Sequence, residues 1–93
     1  MKFQWDDKKS EACFKSRGFD FAYAASAFAD PSRKVREDAR FSYGEARYEL
    51  LGRIEGRIYV VIFTIRAQEL RIISARKANR REVKRYEDRS HDD

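Results

Sequence analysis

"RIYVVIFTI", residues 57–65, is apolar at odd and even positions alike and rich in β-branched and aromatic side chains. That pattern predicts a central strand, and with it a fold built on a sheet. Upstream, "RYELLGR" at 47–53 reads as a partner strand, joined to it by a tight turn at Glu55 and Gly56. Downstream, "RAQE" turns the chain back into "LRIISAR", Leu70 to Arg76. A fourth short strand fits "RKVRE", Arg33 to Glu37, with Lys34 and Arg36 on one face and Val35 on the other.

Helices flank this core at both ends of the chain. "KFQW", Lys2 to Trp5, reads as a short strand or extended arm, after which Asp6 or Asp7 can cap a helix that Gly18 stops. Asp20 is the expected cap of a second helix, whose apolar face carries Phe21, Ala24, Ala25 and Phe28 and which Pro31 ends. After the last strand, Asn79 and Glu82 have the spacing of a capping box, and the helix they open sets Val83 and Tyr86 on one side. The expected fold is α+β: an antiparallel sheet of about four strands, two N-terminal helices and one C-terminal helix, with the helices on one face.

The chain has 93 residues, enough for one domain, expected to be ordered over about 3–88 with a tail at 89–93. Its 21 Lys and Arg outnumber 16 Asp and Glu, for a net charge of +5. The excess is uneven: residues 66–89 hold nine cations against four acids, whereas residues 1–65 hold twelve against ten. A basic C-terminal quarter suits an anionic partner such as nucleic acid, or an acidic protein. One cysteine, Cys13, leaves no intrachain disulfide and no multi-cysteine metal site, and it reads as a small core residue. No apolar h-region and no run of membrane-spanning length occurs, which predicts a soluble, cytoplasmic protein without membrane contact.

The residues also limit the chemistry. The single histidine, His91, sits in the terminal "RSHDD", so the usual general base is missing, and neither a dinucleotide nor a P-loop signature occurs. Strict alternation places Ser74 and Arg76 on one face with Leu70 and Ile72, and puts Arg47, Glu49, Leu51 and Arg53 on one face of their strand. Guanidiniums aligned on an open sheet face can grip phosphate in bidentate fashion.

Such a face can also cleave RNA through attack of its own 2′-hydroxyl. That reaction needs a proton acceptor, for which Glu45 or Glu49 qualifies; cations on the phosphoryl oxygens, for which Arg76 and Arg47 qualify; and help for the leaving oxygen from Tyr86 or an arginine. No cofactor or metal is required. Lys34, Arg36, Arg53, Arg66, Lys77 and Arg81 are the expected RNA contacts. The alternative is a non-enzymatic nucleic-acid-binding module that uses the same basic surface and stacks bases on Tyr43 or Tyr48.

Four ordered landmarks, "FQWD" at 3–6, "FADP" at 28–31, "YGEARYELLGR" at 43–53 and "IISARKANRREVKRYE" at 72–87, closely resemble the BrnT family of toxins from type II toxin–antitoxin systems. The resemblance implies a RelE-like fold, a ribonuclease activity that arrests translation, and neutralisation by a BrnA-type antitoxin whose ribbon-helix-helix part binds operator DNA. It points to Glu45, Arg47, Arg66, Ser74, Arg76 and Lys77 as matching positions, with Arg81, Glu82 and Tyr86 of the last helix. Where many relatives read Lys-His-Gly, this chain has Ser16, Arg17 and Gly18. An arginine there suits a helix C-terminus as well as a charged histidine would.

Overall fold

A computed structural model describes residues 2–38 and 44–88. It contains strand β1 (Phe3–Trp5), helix α1 (Asp7–Arg17), the one-turn helix α2 (Phe21–Ala24) and a 3₁₀ segment (Ala25–Ala29). Strands β2 (Lys34–Glu37), β3 (Tyr48–Ile54), β4 (Arg57–Arg66) and β5 (Glu69–Lys77) follow, and then helix α3 (Arg80–Glu87). Among the described residues no helix is long and apolar enough to cross a membrane.

The helix boundaries follow local chemistry. Asp6 Oδ1 accepts the Lys8 N–H at 2.8 Å to open α1, and Gly18 closes it in the left-handed region, at φ 86°. Asp20 Oδ1 accepts the Tyr23 N–H at 2.9 Å and opens α2. At α3 the capping box is complete, with Asn79 Oδ1 accepting the Glu82 N–H and Glu82 Oε1 accepting the Asn79 N–H, each at 2.9 Å.

The sheet order is β1-β5-β4-β3-β2. β2 to β5 form the antiparallel meander that the short connections imply. The sheet nonetheless has five strands and is mixed, because β1 adds to the outer edge of β5 in parallel, Phe3 opposite Leu70 and Trp5 opposite Ile72. The chain therefore starts at one edge of the sheet, and its N-terminal helices carry it across to β2 at the other.

The helices divide between the two faces rather than sharing one. Cys13 of α1, Phe21 and Ala24 of α2, and Ala27 of the 3₁₀ segment bury against Leu50, Val61, Phe63, Ile72 and Ala75. The alternate residues Leu51, Ile58 and Val60 pack against Val83 and Tyr86 of α3 on the opposite face. The cause lies in β4 itself. A strand apolar on both faces needs cover on both.

Two local features set the site. Gly52 in β3 meets the 3₁₀ segment so closely that a Cβ on it would lie 2.6 Å from the Ala27 carbonyl oxygen, so only glycine permits this contact. In β5 the ladder slips by one residue: Ser74 pairs with Ile62 but Ile72 with Phe63, leaving Ile73 as a bulge. The slip reverses the facing expected from strict alternation. Leu70, Ile72 and Ala75 point to the N-terminal helices, while Arg76, opposite Val60, points to α3.

Candidate active site

The bulge delivers Arg76 to the first turn of α3. There its guanidinium meets Glu82 as a two-point pair, Nη1 to Oε1 at 2.8 Å and Nη2 to Oε2 at 2.7 Å. The Glu82 side chain is 13 % exposed and that of Arg76 42 %. The Arg76 hydrogen bonds hold the Glu82 carboxyl down to about 2, outweighing the opposing effect of burial. The carboxylate that completes the helix cap thus also fixes the direction of the arginine.

Across the cleft from this pair, the buried Glu49 of β3 draws in two more guanidiniums. Arg36 Nε donates to its Oε1 at 3.0 Å and Arg85 Nη2 donates to the same oxygen at 2.5 Å. Oε2 of Glu49 accepts no hydrogen bond among the described residues. Arg36, Arg76, Arg81 and Arg85 line one cleft of 790 Å³ together with Glu37, Asp38, Glu49, Asn79 and Glu82. Arg81 is exposed and makes no ion pair or hydrogen bond among the described residues. Among those residues no three His, Cys, Asp or Glu gather as a metal site.

The other candidates lie elsewhere. Glu45 is held by Arg66, Nε to Oε2 at 2.8 Å and Nη2 to Oε1 at 3.0 Å, at the far end of β4. Those bonds, with the charges of Arg47 and Arg71, keep its carboxyl below the usual range. Arg47 enters β3 there, its carbonyl accepting the Asp38 N–H at 2.7 Å. Glu45 and Glu49 therefore sit in separate clusters, only the second of which shares a cleft with Arg76.

Tyr86 belongs to a third group, at the opposite end of α3 from Arg76. It is buried, its hydroxyl donates to Asp30 Oδ2 at 2.5 Å, and Arg53 lies over its ring with 5.4 Å to the centroid. Burial and the bond to Asp30 push the phenol up. Burial raises Asp30 as well, but the Tyr86 hydroxyl and the N–H groups of Arg53 and Ser32 outweigh it and hold the carboxyl low. Lys34 donates to the Arg85 and Asp88 carbonyls, where a cation complements the C-terminal end of α3.

Lys77 follows Arg76 in β5 but faces the other side of the sheet, opposite Tyr59. Ser74 is exposed on the α3 side. Tyr48 stacks on Phe63 at 5.5 Å, and Tyr43 and His91 lie outside the described residues.

Sequence reasoning passed over Arg85 and Glu37. Arg85 carried a signal, since Arg81 and Arg85 are one helical turn apart and share a side of α3 with the capping-box glutamate. Glu37 carried none, because only the pairing of β2 with β3 brings it to the cleft.

Converging arginines beside a carboxylate with an open oxygen can bind a phosphodiester and accept a proton from a group next to it. Among curated proteins none matches the chain. The family model described as "Ribonuclease toxin, BrnT, of type II toxin-antitoxin system" matches residues 5–82. Over most of its length, from β1 into α3, the chain thus carries the pattern of that family, and it belongs to the BrnT ribonuclease toxins of type II toxin–antitoxin systems.

Proposed function

We propose that this chain is an endoribonuclease that cuts mRNA without a metal ion and so arrests translation, acting in the cytoplasm. A BrnA-type antitoxin neutralises it, and operator DNA is reached only through the ribbon-helix-helix part of that partner. The observation that supports this reading is the convergence of Arg36, Arg76, Arg81 and Arg85 on one cleft that also holds Glu49.

In the proposed reaction the RNA 2′-oxygen bonds to the adjacent phosphorus and the bond from phosphorus to the 5′-oxygen breaks. The 2′-hydroxyl proton goes to Glu49 Oε2, and the departing oxygen takes a proton from water. Arg76, aimed by Glu82, stabilises the charge on the phosphoryl oxygens, and Arg81 grips the leaving side. Arg36 and Arg85 hold Glu49 in place. Tyr86, occupied by Asp30, is left with a structural role.

The test incubates labelled RNA with the protein in chelator-containing buffer, with and without ribosomes, beside Arg76→Ala. Fragments ending in a 2′,3′-cyclic phosphate are expected from the wild type. With Arg76→Ala they should form about 100-fold more slowly or not at all, the usual cost of losing one preorganised charge contact. RNA left intact by the wild type under both conditions would overturn the proposal and leave a binding module.

A further inference from the structure

Phe14 stands 58 % exposed on α1, more than any other large apolar side chain among the described residues. A single exposed phenylalanine needs no explanation on its own. Its surroundings ask for one. Phe14 lies on the wall of a 370 Å³ hollow between the end of α1 and the end of β5, lined also by Phe19, Tyr23, Tyr59, Arg17 and Lys77. The inner aromatics form a packed floor, Phe19 edge-on to Tyr59 at 5.0 Å and Tyr23 edge-on to Tyr59 at 5.8 Å.

Two cations flank the opening. Among the described residues neither the Lys77 ammonium nor the guanidinium of Arg17, in the last turn of α1, makes an ion pair. Asp20 also lines the hollow, but its Oδ1 is engaged by the Tyr23 N–H. An exposed ring beside two cations, against the single helix-capping carboxylate of Asp20, suits a flat aromatic ligand attached to a phosphate.

The position of the hollow connects it to the cleft. Arg76 and Lys77 are consecutive in β5 and project to opposite faces, so the cleft and the hollow lie one backbone step apart around the end of that strand. β1 pairs with β5 only as far as Ile72 and leaves this end of the strand to α1, whose Cys13 Sγ–H donates to the Ala75 carbonyl at 3.6 Å. A single strand whose phosphate sits at Arg76 can turn this corner and carry a base further along the chain to Phe14.

We infer that the hollow walled by Phe14, Arg17 and Lys77 is a stacking subsite for an unpaired nucleobase of the RNA strand that flanks the scissile phosphate. The inference rests on the ribonuclease reading for its substrate.

The test measures binding of a fluorescent 2′-O-methyl RNA, which cannot be cut by its own 2′-oxygen, to the full chain and to Phe14→Ala, Phe14→Leu and Phe14→Tyr. Cleavage of the matching unmodified RNA is followed in parallel. Phe14→Ala should bind about 5- to 150-fold more weakly, the range for one stacked base, with its melting temperature unchanged. Phe14→Leu should lose most of that affinity and Phe14→Tyr should keep it. In a series of oligonucleotides each lacking one base, the wild type should lose affinity at one position, and Phe14→Ala should lose no more there.

Equal affinity of wild type and Phe14→Ala would overturn the subsite and leave Phe14 to a protein contact, while the ribonuclease reading would stand if both cut RNA. Binding without cutting by the wild type, with ribosomes present as well as absent, would instead sink the ribonuclease reading, and the affinity ratio would still decide the subsite. A wild type that binds no RNA would overturn the subsite, and the ribonuclease reading with it if ribosomes also restore no cleavage.

Discussion

Glu82 grips both terminal nitrogens of Arg76 while its Oε1 also accepts the Asn79 N–H, so a single carboxylate closes the helix cap and aims the arginine. Its carboxyl is held at about 2, against an ordinary 4.5. The stabilisation is therefore complete above about pH 4.5 and drains away as the pH falls toward 2. With Arg76 exposed over 42 % of its side chain, solvent screening limits the effect to about 2 kcal/mol. Glu82→Gln should cost on that order at neutral pH and should flatten the loss of stability between pH 5 and 2.5. Urea titrations across that range check it; parallel curves for the two proteins would refute the coupling.

Tyr86→Phe separates anchoring from catalysis. The substitution removes only the bond to Asp30, which is worth about 1.5–3 kcal/mol when the acceptor is charged. The variant should be less stable by that amount yet cut RNA at nearly the wild-type rate, since the hydroxyl lies outside the Arg76 cleft. A collapse in cleavage with stability unchanged would return Tyr86 to the catalytic group.

Gly52→Ala tests the closest contact between layers. The added methyl would meet the Ala27 carbonyl oxygen at 2.6 Å and the Ala27 Cβ at 2.9 Å, so the 3₁₀ segment must lift from β3. Overpacking of this kind costs about 1–3 kcal/mol. Denaturant unfolding should show a lower midpoint with the same slope, and a variant as stable as the wild type would show that the contact relaxes freely.

Much of the fold was legible because it is written in local patterns. Asp6, Gly18, Asp20 and the Asn79–Glu82 pair mark helix ends through bonds made within a few residues. The doubly apolar β4 announced a central strand, and taken further it announces cover on both faces, which a one-sided arrangement of helices overlooked. β1 was harder to place: a three-residue strand carries little periodicity, and its partner lies 67 residues away at Leu70.

The site was legible in its residue types more than in its grouping. Arg76, Glu49, Arg36 and Arg81 do meet at one cleft. Glu45 with Arg66, and Tyr86 with Arg53, are drawn off by partners that spacing alone does not reveal. Asp30 shows why. It reaches Tyr86 across 56 positions of sequence, a contact set by where α3 folds back on the sheet.

The bulge at Ile73 turns the matter into one of parity. In a strand, odd and even positions belong to different worlds, here the aromatic interior beneath α1 and the polar cleft beneath α3. One supernumerary residue exchanges the two for everything that follows it, up to the start of α3. Deleting Ile73 would alter no charge and yet would drive the Arg76 guanidinium toward the aromatic interior and turn Ala75 out to the cleft. What places the arginine is thus the count of residues between Leu70 and Arg76 as much as their kind.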